Sequence, residues 1–284
     1  MKNILSLSFL LFVGQTLSQQ ESIFTQFWNT KQQFNPAFTG LELRHEAHAI
    51  GRWQWNGVNA APDNQLLSYA AKINKWNSGL GLTYLHEKIG FIELNQVKAN
   101  YSYNLIFNEN HSLSFGVSGG FNLLKIEAYW IPPTTSNDPM LPQNETSFGF
   151  TPDLGIAYKF KRLKTGFSVT QLVDSRSTSN YTEARHYYLF ANYSFGNEEK
   201  FQILPQVLLR TDLVKLSADI NALMSYQNKY WLGLTWRTSD AICFTAGYTL
   251  LKKFNLSYSY DLTINKLSSI STGSHEIHLG FTLR

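Results

Sequence analysis

Cysteine, charge and long apolar runs are all scarce in this sequence. Cys243 is its single cysteine, so the chain can form neither an internal disulfide nor a zinc site built from several thiolates. Charged residues make up 15% of the 284 residues, whereas a soluble domain averages about 25%. No long apolar run follows Val13, which excludes a bundle of membrane-spanning helices. The basic residues are scattered, so nucleic acid is not an expected partner.

Aromatic residues, by contrast, account for 15% of the chain. Few charges and many rings indicate a surface that meets something other than water. The mean hydropathy of -0.22 is nevertheless too low for a helical membrane protein with several spans. Both properties suit a transmembrane β-barrel, in which apolar and polar residues alternate along each strand.

Residues 1–18 have the pattern of a secretory signal peptide. Lys2 supplies the positive charge, an apolar run extends from Ile4 to Val13, and Thr16 and Ser18 precede a cleavage point at Gln19. A short membrane anchor is the alternative, but the run is well below the ~20 residues that span a bilayer. We therefore expect a signal peptide at 1–18, an N-terminal segment at 19–42 and a β-barrel domain at 43–284.

From Leu43 onward the dominant hydrophobic period is two, which predicts β-strands. In Ser112–Lys125, Asn255–Ile264 and Ser274–Arg284, one face carries Leu and aromatic residues and the other carries mostly Gly, Ser and Thr. This arrangement is typical of a barrel with lipid outside and a polar lumen inside. A soluble β-sandwich alternates similarly, with its apolar face packed inward.

About fourteen antiparallel strands can be marked, an even number as in bacterial barrels. They are Leu43–Trp55, Gln65–Asn74, Gly79–Lys88, Glu93–Leu105, His111–Leu124, Thr151–Phe160, Leu163–Leu172, Arg185–Phe195, Phe201–Arg210, Val214–Tyr226, Lys229–Thr238, Ala241–Leu250, Phe254–Ile264 and Gly273–Arg284. The four longest connections all fall on the same parity, as outer loops should, and a sandwich has no reason to sort them this way. The sequence therefore predicts an all-β outer-membrane barrel with both termini in the periplasm.

Rings near strand ends are expected to form girdles at the membrane interfaces. They are Trp53, Trp55, Trp76, Tyr84, Trp130, Tyr187, Tyr230, Trp231 and Trp236. The N-terminal segment is too apolar for a free tail, and we expect it to dock inside the lumen or across its periplasmic mouth. The candidate docking residues are Phe27, Trp28, Asn35, Pro36, Phe38 and Gly40.

The most notable ionisable residues share an inward face on the last strands. Asp261, Glu276 and His278 point into the lumen by alternation, Arg284 shares their face, and Arg237 is a further candidate. We interpret them as a hydrogen-bonded network that fills the lumen or holds the N-terminal segment. A metal or catalytic cluster is the less favoured alternative, because no close pair of histidines with a carboxylate supports it.

Long loops carry function more often than strands do, so the two longest outer loops are the candidate partner-binding sites. Their candidate residues are Trp130, Asp138, Met140, Ser177 and Tyr181. A solvated loop without a partner is the alternative. The chain contains no phosphate loop or dinucleotide fingerprint, and we expect neither an enzyme nor a cofactor.

Several motifs follow one another in the order found in a known family. The opening Phe24-Thr25-Gln26-Phe27, with Asn35-Pro36-Ala37-Phe38-Thr39-Gly40, is followed by Trp55-Asn56-Gly57 with Ala61-Pro62, Gly79-Leu80-Gly81-Leu82 with Lys88-Ile89-Gly90, Tyr230-Trp231-Leu232-Gly233-Leu234 with Arg237, Tyr258-Ser259-Tyr260-Asp261 and Gly273-Ser274-His275-Glu276-Ile277. In this order the chain resembles the PorP/SprF family of Bacteroidetes type IX secretion and gliding proteins.

The resemblance implies an outer-membrane protein that binds, guides or anchors a secreted cargo protein at the cell surface. Its expected partners are outer-membrane lipid, a cargo with a C-terminal sorting domain, and components of the type IX secretion machinery. The alternative function is a FadL-like or porin-like diffusion channel. A channel should have an open lumen lined with charge, whereas these inward faces are rich in small residues.

Overall fold

A single closed sheet forms the whole wall of the molecule. The computed structural model describes residues 22–127, 144–173, 184–197 and 199–283. Within those ranges the strands are β1 (His45–Trp53), β2 (Asp63–Ile73), β3 (Ser78–Ile89), β4 (Ile92–Asn108), β5 (His111–Ile126), β6 (Glu145–Phe160), β7 (Leu163–Thr170), β8 (His186–Tyr193), β9 (Phe195–Gly196), β10 (Phe201–Thr211), β11 (Leu216–Tyr226), β12 (Tyr230–Arg237), β13 (Ala241–Leu250), β14 (Phe254–Thr263) and β15 (Ser274–Leu283). Neighbouring strands are antiparallel, and β15 pairs with β1, so the sheet closes on itself.

Strands β8 and β9 are two parts of a single interrupted strand of the barrel. Both pair with β10, with Ala191 opposite Val207 and Phe195 opposite Ile203. Pro205 lies on β10 between these two pairs, and proline has no N–H to donate across the sheet. When β8 and β9 are counted as one strand, the barrel has fourteen strands within the described part of the chain. This confirms the fold class and the strand number expected from the sequence.

Most strand bounds lie within a few residues of the predicted ones. The largest difference is β6, which begins at Glu145 instead of Thr151. The additional residues at the start of β6 pair with β5. In this extension the ring of Phe148 stacks on the ring of Phe121, with 5.0 Å between centroids. Apolar packing on the outer surface thus extends this hairpin beyond the predicted strand.

The apolar faces of the strands point away from the lumen. On β5, Phe115 and Val117 are 45% and 48% exposed, while Ser114 and Ser118 on either side of this pair are buried. The same alternation recurs around the wall, so the outer surface is a continuous apolar band that soluble monomers do not expose. The described residues contain no helix long and apolar enough to cross a bilayer. Because the outward faces of the strands carry the apolar band, the strands are the elements that meet lipid.

The two ends of the barrel differ in their connections. At one, which we call the short-turn end, tight turns join β2 to β3, β4 to β5, β6 to β7, β9 to β10, β11 to β12 and β13 to β14. The opposite, long-loop end carries the connections 54–62, 127–144, 171–185 and 264–273, of which 128–143 and 174–183 lie outside the described residues. All four long connections leave from the same end, as expected from their parity.

Exposed rings lie near both ends of the wall, including Trp53, Trp76, Tyr230 and Trp236. The expectation for Trp231 was wrong, because this ring faces the lumen and lies 6.2 Å from the Trp28 ring. Alternation explains the difference, since Tyr230 and Leu232 on either side of Trp231 both point outward.

Replacing Leu234 with Arg tests which side of the wall meets lipid. Leu234 is 50% exposed on β12, midway between the two ends of that strand. We expect a loss of about 2–4 kcal/mol in the free energy of unfolding, measured by urea titration in lipid vesicles, because the cation would lie in hydrocarbon. The control, Leu251→Arg, changes an exposed residue of a short turn and should cost about 0–1 kcal/mol. Equal losses would contradict the membrane assignment.

Candidate functional site in the barrel lumen

Residues 22–42, which we call the lumen segment, run through the barrel from one end to the other. At the long-loop end, the hydroxyl of Ser22 donates to Glu87 near the last residues of β3, at 2.5 Å. At the short-turn end, the hydroxyl of Ser102 donates to the carbonyl of Thr39 at 2.7 Å. Between them lie the short helix α1 (Lys31–Phe34) and the 3-10 turns Phe27–Asn29 and Pro36–Phe38. The segment docks inside the barrel, which was one of the two placements expected from the sequence.

The direction of the lumen segment separates the two ends of the described chain. Ser22 lies at the long-loop end, whereas Leu283 pairs with His45 at the short-turn end. This differs from the expectation that both termini lie on the same, periplasmic side. The physical reason is that the segment finds its polar partners along the full depth of the lumen before it turns into β1.

Thr25 is the point at which the lumen segment meets four ionisable side chains. Its hydroxyl lies 2.8 and 2.9 Å from the two carboxylate oxygens of Asp261 and accepts from Arg52 at 2.7 Å and Arg237 at 3.2 Å. Its backbone N–H donates to Glu276 at 2.7 Å. All five residues are at most 1% exposed. A single threonine hydroxyl thus bridges both guanidinium groups and a carboxylate.

Direct ion pairs join the same side chains. Arg52 lies 2.7 Å from Asp261 and 3.3 Å from Glu276, and Arg237 lies 3.1 Å from Asp261. Asp219 extends the chain of charges, since Arg237 and Arg210 each approach it to 3.0 Å. We call these residues the ionic cluster: Arg52, Arg210, Arg237, Asp219, Asp261 and Glu276. Opposite charges alternate through it, and such pairing is what allows ionised groups to be buried.

His278 lies next to the ionic cluster and continues the polar contacts along the lumen segment. Its ring nitrogens lie 3.1 Å from the hydroxyl of Ser257, 3.0 Å from a ring nitrogen of His48 and 3.3 Å from the side-chain amide of Asn29. Ser257 also donates to the side-chain carbonyl of Gln26 at 2.7 Å. Side-chain contacts between the wall and the segment therefore continue from Thr25 toward the short-turn end.

The structure brings together most of the lumen residues inferred from the sequence. Asp261, Glu276 and Arg237 belong to the ionic cluster, and His278 adjoins it. Arg284 lies outside the described residues. None of these side chains is free to act alone, because each one already contacts the lumen segment or an opposite charge.

Sequence reasoning missed Arg52, Asp219 and Thr25. Arg52 lies on the inward face of β1, but the outward positions in the middle of that strand are Ala47, Ala49 and Gly51. With only small residues in the middle of its outer face, the strand has a weak amphipathic pattern, so nothing singled out its inward arginine. Extending the inward parity of the neighbouring strands to β1 would have found it.

Asn35 attaches the part of the lumen segment nearer the short-turn end to the wall. Its side-chain amide donates to the backbone carbonyls of Ile156 at 3.1 Å and Phe167 at 3.3 Å, on β6 and β7. Its side-chain oxygen accepts the N–H of Ala37 and caps the 3-10 turn that begins at Pro36. The Asn35-Pro36 pair therefore both forms the turn predicted from the sequence and attaches it to the wall.

Glycines on the inward faces give the lumen segment its room. A Cβ on Gly116 would collide with the backbone of Ala37, and one on Gly155 would collide with the side chain of Asn35. The same holds for Gly79, Gly81 and Gly166, whose added atoms would meet Thr39, Gln32 and Phe38. The inward faces, which alternation predicted to carry small residues, thus leave the space that the segment occupies. We call these five residues the glycine surface.

Aromatic packing attaches the other side of the segment to the wall. The rings of Phe27, Phe34 and Phe38 pack on Phe190, an inward residue of β8, with centroids 5.4 to 6.3 Å apart. All four side chains are buried. Fully burying a Phe side chain stabilises a fold by roughly 1.5–3 kcal/mol, so these rings are a large part of what holds the segment in place.

Glu42 ties the end of the segment to the short-turn mouth. Its carboxylate lies 2.8 Å from the ammonium of Lys164 and 3.3 Å from that of Lys31. Partial desolvation raises the pKa of Glu42, and the two positive charges lower it by more, so this pKa lies below its usual range. Glu42 therefore stays ionised wherever the barrel is folded at neutral pH.

The loop residues that the sequence indicated as partner-binding candidates lie outside the described residues: Trp130, Asp138, Met140, Ser177 and Tyr181. In the part of the chain that is described, no three His, Cys, Asp or Glu side chains are grouped so that they could hold a metal ion. The side chains of the ionic cluster pair with one another and hold a segment of the same chain.

Comparison with known proteins supports this architecture. The family model described as "Type IX secretion system membrane protein PorP/SprF" matches residues 16–281. No curated protein sequence matches the chain significantly. Among solved structures, the Acinetobacter baumannii outer membrane protein Omp33 aligns with a TM-score of 0.54 at 7% identity, covering 86% of this chain and 100% of that one. The CymD monoaromatic hydrocarbon channel aligns with a TM-score of 0.52 at 11% identity and 90% coverage of each chain. These likenesses concern the fold alone.

Replacing Asp261 with Asn tests the ionic cluster. The amide keeps the shape but leaves Arg52 and Arg237 without their shared carboxylate, and breaking a buried ion pair costs about 3–5 kcal/mol. We expect the free energy of unfolding in lipid vesicles to fall by about this amount. Glu109→Gln, at an exposed carboxylate in a short turn, is the control and should change it by about 0.5 kcal/mol at most. A small change at Asp261 would mean that the cluster does not stabilise the fold.

Replacing Gly116 with Leu tests the packing of the lumen segment on the glycine surface. The new side chain would occupy the space of Ala37, so we expect the lumen segment to leave its place in an otherwise folded barrel. Trypsin should then cleave after Lys31, which gels and mass spectrometry of the product would show. Gly119→Leu points outward, where its Cβ only touches the Phe150 ring at 3.4 Å, and it should remain uncut. Protection of Lys31 in Gly116→Leu would contradict the assigned packing.

Proposed function

Because the chain belongs to the PorP/SprF family of type IX secretion system membrane proteins, we propose that it binds, guides or anchors a secreted cargo protein at the cell surface. Its place in secretion follows from the family, and its place in the outer membrane follows from the fold. The binding of cargo is the further step. The observation that carries this proposal is the lumen segment, which occupies the barrel from one end to the other.

A lumen that holds a segment of its own chain favours a binding role over a conducting one. A channel for solutes needs a continuous open path, whereas here the segment contacts the wall at several depths. The contacts run from Glu87 at one end, past Glu276 and Gly116, to Ser102 at the other. The barrel is then a rigid support, and the surfaces left for partners are its two ends.

We propose that the long-loop end faces outward and carries the cargo site. Short turns face the periplasm in outer-membrane barrels, and longer loops face outside. This orientation places Leu283 on the periplasmic side and Ser22 on the outer side. The long loops with Trp130, Asp138, Met140, Ser177 and Tyr181 are the proposed contact residues, and the partner is a protein with a C-terminal sorting domain.

We further propose that the barrel is not an enzyme. The carboxylates best placed for chemistry, Asp261 and Glu276, accept hydrogen bonds from Thr25 and face Arg52 at ion-pair distance. A general acid or base needs contact with a substrate. These groups instead contact the lumen segment, which would have to leave before any substrate could reach them.

A pull-down from the native membrane tests the cargo proposal. The full-length barrel carries a periplasmic tag at its last residue, and we expect a surface protein with a C-terminal sorting domain to co-purify. A variant whose residues 131–142 are replaced by Gly and Ser should lose that protein. The matched control replaces residues 251–253, at the opposite end, and should retain it. Equal recovery with both variants would rule out the outer loops as the cargo site.

The rival function, a FadL-like or porin-like diffusion channel, has the support of fold similarity to CymD, whose name describes it as a monoaromatic hydrocarbon channel. Ion conductance in planar bilayers separates the two functions. We expect the wild-type barrel to conduct little and a variant lacking residues 22–41 to give large steady currents. Large currents through the wild type would favour the channel.

A further inference from the structure

The outer surface of β1 differs from the rest of the apolar wall. Its outward positions in the middle of the strand are Ala47, Ala49 and Gly51, none of which has a side chain larger than a methyl group. The facing positions of neighbouring strands carry large side chains. Ala49 lies between Leu67 on β2 and Leu279 on β15. The wall is therefore indented along the seam where the first and last strands meet.

The indentation is a groove of about 600 Å³ with an almost entirely apolar lining. Ala47 and Ala49 form its floor, and Leu67, Tyr69, Leu279 and Phe281 form its sides. The Trp53 ring covers Gly51 and ends the groove toward the long loops, where an added Cβ would lie 3.0 Å from that ring. We call this feature the β1 groove.

The other end of the β1 groove meets a basic turn. Phe254 and Phe281 line the groove there and pack on each other with centroids 5.4 Å apart. Lys253 precedes Phe254 in the chain, and its carbonyl accepts the N–H of Thr282 at 2.8 Å, which fixes the turn beside the groove. Lys252 and Lys253 are both exposed. An apolar groove therefore opens onto two positive charges at the membrane boundary.

We propose that the β1 groove binds one anionic phospholipid, with an acyl chain along Ala47 and Ala49 and the phosphate at Lys252 and Lys253. The groove lies on the surface that meets hydrocarbon, so a chain of CH2 groups is its natural occupant. Lysines near a bilayer surface attract anionic head groups. The short-turn end places this phosphate in the periplasmic leaflet.

A second copy of the barrel fits the β1 groove less well than a lipid does. Two barrels related by a two-fold axis along the membrane normal would face each other with the same surface. Their floors at Ala49 would leave a void between them, and the Lys252 and Lys253 turns of both copies would meet at the same depth. Like charges at that distance repel, whereas a phosphate neutralises them.

The test counts lipids that stay bound to the full-length mature barrel. Protein in nanodiscs with equal amounts of phosphatidylglycerol and phosphatidylethanolamine is released into detergent and analysed by native mass spectrometry. We expect phosphatidylglycerol to be retained in preference, one molecule per barrel. Retention of neither lipid, or equal retention of both, overturns the proposal.

Two variants test the groove and the charges separately. Ala47→Leu with Ala49→Leu fills the floor and should weaken retention about tenfold, as expected if about two buried CH2 groups lose their contacts. Lys252→Gln with Lys253→Gln should weaken phosphatidylglycerol retention about fivefold for each lysine and leave phosphatidylethanolamine unchanged.

Matched controls make the same changes elsewhere. Ala246→Leu lies on the outward face of β13, and Lys75→Gln with Lys200→Gln lie in other short turns. Both should retain lipid as the wild type does. Heat-dependent gel mobility verifies that each variant is folded, and the lysine variant serves if the floor variant does not fold. Wild-type retention in both test variants, or a dimer that the floor variant abolishes, overturns the proposal.

Discussion

The ion pairs that Arg52 and Arg237 make with Asp261 are the interaction on which the rest of the interior depends. Charges at most 1% exposed are stable only when opposite charges and hydrogen bonds surround them. In this barrel part of that compensation comes from Thr25, whose hydroxyl and N–H contact the cluster on the lumen segment. Wall and segment therefore stabilise each other, because neither would satisfy its polar groups alone.

This mutual dependence explains two features that otherwise conflict. Inward faces rich in glycine and serine would leave a wide lumen, yet the lumen segment runs along its length. Gly116 and Gly155 lack side chains where the backbone and Asn35 of the segment pass. On the opposite side, Phe190 supplies the bulk against which Phe34 and Phe38 pack. The lumen is thus shaped to hold the lumen segment.

The outer surface follows a different rule, since its solvent is lipid. Large apolar residues cover most of it, and their alternation with small polar ones was enough to predict the barrel. The β1 groove is the exception, with small residues outside and Ile50 and Arg52 inside. The small outward residues that left the inward Arg52 unnoticed in the sequence also produce the groove where β15 closes the barrel.

The sequence by itself determined the strand number, the inward and outward faces and the end that carries the long loops. These features depend on local alternation and turn residues, and a hydrophobic period of two can be recognised directly in the sequence. Asp261, Glu276 and His278 were found for the same reason. The tertiary structure alone decided that Arg52, Asp219 and Thr25 join them, and that the lumen segment passes from one end to the other. The contacts of Thr25 and Arg52 with Asp261 join residues more than two hundred positions apart, and no local pattern specifies which distant charges a closed barrel brings together.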